Sequence, residues 1–197
     1  MDRIRRIIDE IRDYGIKNEV PIMSEESINV IKKVIVDNNI KSILEIGTAI
    51  GYSTICLAAC DGVNKVTSIE RDKSRYDIAV SNVKKSGIDY IELINDDALN
   101  TIINDKYDLL VIDAAKSQNM KFFNKYKENL NKNGIIIIDN LSFHGFVGNS
   151  STIKSRNLRQ MVRKIEKFID FLDNNTEYDV EYIDVGDRLG ICKKKNL

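Results

Sequence analysis

Two runs in the second half of this chain, Leu109-Leu110-Val111-Ile112 and Ile135-Ile136-Ile137-Ile138, are apolar at every position. A strand with one wet face alternates apolar and polar residues. A strand that is apolar throughout is buried on both faces, which confines it to a parallel sheet between two helix layers. Further strand-like runs at Ser42–Ile46, Lys65–Glu70 and Tyr90–Asn95 are separated by helical stretches at Gly51–Cys60 and Lys73–Ser86, the latter stopped by Gly87. Tyr107–Asp113 and Gly134–Asp139 flank another helix near Met120–Leu130. The tail differs. Leu158, Val162, Ile165, Ile169 and Leu172 recur at helical spacing, and Tyr178–Asp184 and Arg188–Lys193 meet at Val185-Gly186-Asp187 as a hairpin. The expected fold is α/β: a Rossmann-like, doubly wound, mostly parallel sheet with a C-terminal antiparallel hairpin. It occupies residues 1–197 as one domain, with N-terminal helices over 1–40 and the core over 41–197.

The N-terminal part is helical by pattern. Ile4, Ile7, Ile8 and Ile11 mark an amphipathic first helix, and Gly15–Met23, with the only proline, is expected to break it. Ser24-Glu25-Glu26-Ser27 then opens a second helix with Ser24 as its cap. Whether the first helix builds a homodimer stays open at this level. Lysine plus arginine and aspartate plus glutamate both number 30, so a polyanion would have to be met by a local patch. The charged start and the lack of any long apolar run predict a cytoplasmic protein without a membrane partner. Cys56, Cys60 and Cys192 lack zinc spacing and read as small core residues, and a single histidine excludes a His-rich metal site.

The chemistry sits where the strands end. Asp113 closes one apolar run with Lys116 three residues on, and Asp139-Asn140 close the next. Two carboxylates and an amide oxygen form a hard-oxygen set suited to Mg²⁺ or another divalent cation. A lysine beside such a set is a candidate general base. Solvated strand-end acids are the bland alternative for any one of these residues taken alone.

Upstream, Leu44-Glu45-Ile46-Gly47-Thr48-Ala49-Ile50-Gly51-Tyr52-Ser53 reads as strand, glycine turn and helix start, a ligand loop at the end of the first strand. Glu70 ends the second strand, near the offset at which an acid takes a ribose diol. A dinucleotide would want glycine where Ala49 stands, and Glu45 would place negative charge near its pyrophosphate. S-adenosylmethionine carries an ammonium, a sulfonium and a ribose diol but no phosphate, and suits these residues better. Asn95-Asp96-Asp97-Ala98, after the third strand, offers an acceptor for an adenine amino group.

With these motifs the sequence resembles the class I S-adenosylmethionine-dependent O-methyltransferases of the catechol and caffeoyl-CoA type. The marks are Glu45–Ser53, Ile69-Glu70-Arg71-Asp72, Asp97-Ala98, Ile112-Asp113-x-x-Lys116, and Asp139-Asn140 followed by Phe143-x-Gly145. Val20-Pro21-Ile22-Met23, Asp113-Ala114-Ala115-Lys116-Ser117-Gln118 and Phe122-Phe123 are similar to the bacterial tRNA 5-hydroxyuridine methyltransferases. The resemblance implies Asp113, Asp139 and Asn140 as metal ligands and Lys116 as catalytic base. It implies a cofactor site of Met23, Glu45, Gly47, Ser53, Glu70, Asp97, Ala98 and Asp113. The loop Leu141-Ser142-Phe143-His144 departs from the family pattern, and its role is left open.

Lys154, Arg156, Arg159, Arg163, Lys164 and Lys167 surround the single acid Glu166 on one helix. A solvated face explains them as readily as an RNA backbone track does, with Arg156, Arg159, Arg163 and Lys164 as the candidate contacts. The leading expectation is a tRNA O-methyltransferase giving 5-methoxyuridine at the wobble position. The alternatives are methylation of a small catechol-like vicinal diol, a nicotinamide-dependent oxidoreductase, and a non-catalytic nucleotide-binding module.

Overall fold

The computed structural model describes residues 2–149, 151 and 153–195. Two helices, α1 (Asp2–Lys17) and α2 (Glu25–Asp37), precede β1 (Ser42–Ile46), α3 (Tyr52–Ala58), β2 (Lys65–Glu70), α4 (Lys73–Ser86), β3 (Ile91–Asn95) and β4 (Tyr107–Ile112). After them come α5 (Asn119–Tyr126), β5 (Leu130–Ile138), α6 (Arg156–Asp173), β6 (Tyr178–Ile183) and β7 (Leu189–Lys194). The strands form one seven-stranded sheet in the order β3-β2-β1-β4-β5-β7-β6. The first five are parallel, and β7 enters antiparallel between β5 and β6. The expected doubly wound sheet with a terminal antiparallel hairpin is what the chain forms.

Both sheet faces are covered. Ile43, Val66, Leu109, Val111, Ile135 and Ile137 pack under α1–α3, while Leu44, Ile46, Leu110, Ile112, Ile136 and Ile138 pack against Phe122, Phe123, Tyr126 and Phe168. That double burial is why these strands are apolar at every position rather than at every second one. Phe123 meets Phe168, Phe171 and Tyr178 edge-on, locking α5, α6 and β6 together. Cys56 and Cys192 are buried and all three cysteines are free, as core residues should be. Among the described residues no helix is long and apolar enough to cross a membrane.

Several boundaries differ from the sequence reading, and two of the differences are informative. Helix α1 does not break at Gly15 but runs to Lys17. A side chain at Gly15 would come within 3.0 Å of the Ile22 side chain, so the glycine serves close packing against the segment that follows. Strand β5 begins at Leu130 rather than Gly134, with a register shift against β4 between Tyr107 and Leu109. Ser24 caps α2 as expected, accepting a hydrogen bond from the Ser27 N–H at 3.1 Å.

Register determines where the chemistry falls. Ile94, Ile69, Ile46, Ile112 and Ile138 are successive neighbours across five strands. The next residue on each strand is Asn95, Glu70, Gly47, Asp113 or Asp139, so one row of the sheet delivers all five to the same carboxyl edge, where open α/β folds bind ligands. Because Ile138 pairs with Gly190, antiparallel β7 starts at that edge, and the preceding turn, with Asp187, arrives there too.

Candidate active site

A cavity of about 970 Å³ runs along this edge. Such a volume lies at the upper end of small-molecule sites. Its wall includes Met23, Gly47, Ser53, Glu70, Asp97, Ala98, Asp113, Lys116, Asp139 and Asn140. With strands about 4.8 Å apart, Glu70 on β2 and Asp139 on β5 stand about 14 Å from each other across three strand spacings. The cavity thus has one end at β2–β3, where Glu70, Asp97 and Ala98 stand, and another at β4–β5 with Asp113 and Asp139, with the glycine loop between.

At the first end each acid is held by backbone. Glu70 accepts the Ala49 N–H on one oxygen and the Asp72 N–H on the other, both at 2.8 Å. Asp97 accepts the Leu99 N–H at 2.8 Å, and the Ala98 carbonyl accepts from the Tyr126 hydroxyl at 2.5 Å and from Lys125 at 3.0 Å. These contacts hold Glu70, Asp97 and Ala98 in place before any ligand arrives.

Gly47 is required by its surroundings. Its φ is +107°, and a Cβ there would lie 2.0 Å from the carbonyl oxygen of Asp113. Two strand ends touch backbone to backbone at this point.

Glu45 corrects the sequence reading. It is fully buried and is not part of the cavity wall. Its carboxylate accepts from Ser53 at 2.6 Å, from Ser68 at 2.5 Å and from Thr54. A strand residue adjacent to the turn points to the opposite face from its neighbour, and here that direction leads beneath the loop. Burial pushes the Glu45 carboxyl above its usual range, against the pull of the three hydroxyls, and nearby Asp113 adds to the rise. Ser53 does line the cavity, and so does Thr48, which is hydrogen-bonded to Ser68, so hydroxyls stand between Glu45 and that space.

At the acidic end Lys116 pairs with Asp113, both largely shielded from water. Asn140 has left-handed backbone, φ +62°, which turns its N–H onto its neighbour Asp139 at 2.7 Å. Burial, and then the adjacent Asp113, push the Asp139 carboxyl up to about 7. Among the described residues no cluster of three or more His, Cys, Asp or Glu forms a metal cage. Asp113, Asp139 and Asn140 present two neighbouring carboxylates and an amide, and a cation relieves buried carboxylates that repel each other.

That burial, together with the repulsion, has a measurable cost. With the folded carboxyl titrating above its unfolded value, the native state holds a proton that the unfolded chain has released between about pH 4 and pH 7, so stability falls as pH rises through that window. Asp139→Asn in the presence of chelator is expected to stabilise the protein by roughly 1–3 kcal/mol at pH 8, and to make little difference near pH 4. Paired melting curves at the two pH values check this, and equal melting temperatures at pH 8 would count against a raised Asp139 carboxyl.

The structure adds residues the sequence reading missed. Asp187, seen only as a hairpin turn residue, reaches the cavity wall, where its carboxylate accepts the His144 N–H at 2.7 Å and its carbonyl accepts the Ser142 N–H at 2.9 Å. Ser24, Tyr52, Arg71 and Arg75 also line the cavity. The sequence marks Ser24 only as a helix cap and Arg71 only as part of a motif. Nothing local in the sequence marks Asp187, since acids are common in turns.

On α6, Arg156, Arg163, Lys164 and Lys167 are exposed. Arg156, Arg163 and Lys167, spaced by seven and four residues, form one stripe opposite the buried Val162, Ile165, Phe168 and Leu172. Arg159 stands apart, because its guanidinium donates twice to the Ile153 carbonyl, at 2.6 and 2.9 Å.

The sequence matches the family model described as O-methyltransferase over residues 3–195. It is 30% identical to a caffeoyl-CoA O-methyltransferase of Populus kitakamiensis over 79% of this chain and 71% of that one. It is 25% identical to a flavonoid 3',5'-methyltransferase of Vitis vinifera over 97% and 85%. Among solved structures, a Staphylococcus aureus protein assigned to the caffeoyl-CoA O-methyltransferases superposes with a TM-score of 0.90 at 37% identity, covering 95% of this chain and 92% of that one. A Bacillus cereus O-methyltransferase in complex with SAH shares the fold at a TM-score of 0.83 and 23% identity, over 96% and 91%.

Proposed function

The chain belongs to the O-methyltransferase family, and from that premise we propose that it moves a methyl group from S-adenosylmethionine to the 5-hydroxyl of 5-hydroxyuridine at the wobble position of tRNA. The observation that carries this reading is the cavity itself, with backbone-held acids for a ribose and adenine at one end and Asp113, Lys116, Asp139 and Asn140 at the other. Family membership displaces the oxidoreductase and binding-module readings.

Glu70 takes the ribose diol, Asp97 and Ala98 border the adenine, and Met23, Gly47, Ser53 and Asp113 surround the methionine end. The acceptor hydroxyl lies beside Lys116. An enolic hydroxyl with a pKa of about 10, by analogy with tyrosine, is hardly ionised at neutral pH. A divalent cation held by Asp113, Asp139 and Asn140 would lower that pKa and favour an acceptor with two vicinal oxygens, such as the 5-hydroxyl and 4-carbonyl of this base. Lys116 removes the hydroxyl proton. The oxygen then displaces the sulfonium in line, the O–CH₃ bond forming as the S–CH₃ bond breaks, and neutral S-adenosylhomocysteine leaves.

The exposed stripe on α6 supports RNA as the carrier of the acceptor. A small catechol-like diol is the second reading, favoured by the small-molecule names of the Populus and Vitis relatives. A salt series separates them. Replacing Arg156, Arg163 and Lys167 with Gln is expected to weaken tRNA binding and to lower the slope of log affinity against log salt by about 2, at ~0.7 per phosphate contact. Equal slopes would remove the stripe from the RNA site. Methylation of catechol by wild type with no tRNA binding would favour the second reading.

A further inference from the structure

We propose that Phe143, His144 and Phe146 form a stacking platform at the cavity mouth for the unpaired base next to the one that is methylated. The inference rests on the RNA reading above and deepens it.

The three rings are grouped, with Phe143 5.3 Å from His144 and 6.4 Å from Phe146, centroid to centroid. They are not core. The His144 side chain is 75% exposed, and Phe146 is among the few large apolar residues that remain in water. Phe143 and His144 stand on the cavity wall, and Phe146 follows directly outside it.

Their backbone is held in an unfavourable conformation. Phe143 and His144 have φ of +46° and +56°, a left-handed region that bulky side chains rarely adopt and that persists only where surrounding contacts enforce it. Here the enforcing contacts are the Asp187 carboxylate on the His144 N–H, the Asp187 carbonyl on the Ser142 N–H, and the Ser142 hydroxyl accepting the Gly145 N–H at 3.2 Å. Strain applied so that exposed rings point outward contributes nothing to the core, and such strain collects at ligand sites.

Charge complementarity selects the occupant. The far end of the same loop is fastened to α6, the Gly148 N–H donating to Glu166 at 3.0 Å. Glu166 neighbours Arg163 and Lys167 on that helix. The loop that carries the aromatic rings is therefore tied to the helix that carries the cationic stripe. This is the pairing that binds single-stranded nucleic acid, with bases stacked on rings and phosphates against cations. Any base presents a π-face, so the platform would orient the strand without reading its sequence.

The test uses an RNA hairpin with 5-hydroxyuridine unpaired in its loop and 2-aminopurine as its neighbour, on the 5′ side in one hairpin and the 3′ side in another. The chain has no tryptophan to stack against the probe in place of these rings. Wild type is expected to quench the probe on one side. The double variant His144→Ala, Phe146→Ala is expected to lose that quenching and to bind the hairpin roughly tenfold or more weakly. Neither side chain belongs to the buried core, so the variant should stay folded by its melting curve, and His144→Tyr, Phe146→Tyr should restore quenching. If wild type methylates the hairpin but the alanine variant quenches and binds equally well, the platform is wrong and the RNA reading stands. If wild type neither binds nor methylates the hairpin while methylating a catechol, the RNA reading fails and the platform with it.

Discussion

Lys116→Met is expected to lower turnover by ~10²–10⁴-fold, the range over which a positioned general base acts, with a far smaller change in acceptor affinity. Lys116 reaches the acidic end of the cavity from the short turn after β4 and is paired there with Asp113. That pairing alone would be consistent with an electrostatic role, so a second variant is needed. Lys116→Arg keeps the positive charge and the carboxylate partner, but a guanidinium cannot give up its proton under these conditions. If the amine takes the hydroxyl proton, arginine should be nearly as inactive as methionine. Single-turnover rates with saturating cofactor, compared with S-adenosylmethionine affinity from calorimetry, check the assignment. Near-wild-type turnover of the arginine variant would reduce Lys116 to a fixed charge, and near-wild-type turnover of the methionine variant would make it a surface lysine.

The second large effect is on stability. Gly47→Ala should destabilise the fold by more than about 4 kcal/mol, the range reserved for a clash that nothing can relieve, and should lower the melting temperature by roughly 8 °C or more. The obstacle is the Asp113 carbonyl, 2.0 Å from the new methyl, on a strand held by its own neighbours and unable to withdraw. Gly62→Ala is the control. Its φ is also positive, +89°, but nothing lies within 4 Å of the added carbon, so only the backbone preference of about 1 kcal/mol is lost. Denaturant unfolding of the two variants separates strain from collision, and similar losses in both would show that the touch between strand ends is not the reason for Gly47.

Much of the site was legible because the parallel strands share one period and one end. Once Ser42–Ile46, Lys65–Glu70, Tyr107–Asp113 and Gly134–Asp139 are strands of one parallel sheet, their last residues must gather at one edge. Glu70, Asp113 and Asp139 follow from that rule without coordinates, Asp97 follows as the acid two residues past the strand Tyr90–Asn95, and each lines the cavity. The helix cap at Ser24 was legible for a similar reason, since a cap is satisfied within three residues.

What depended on how distant segments meet was not legible. Glu45 ends on the buried side because three hydroxyls from α3 and β2 close over it, and two of those three lie outside any motif. Arg159 looks like its basic neighbours until the loop at Ile153 folds back to occupy it. The stretch Gly15–Met23 reads as a helix break, although a glycine inside a helix can equally be the place where another segment comes close. Asp187 is the clearest case, since its place follows from β7 entering antiparallel between β5 and β6. The sequence by itself determined the parallel sheet, its active edge and the acids along that edge, because strand burial and chain direction are written in local patterns. Only the tertiary structure decided which of those acids face the cavity, and brought the hairpin turn to anchor the loop at its mouth, because side-chain direction and non-local strand order are set by packing between segments far apart in the chain.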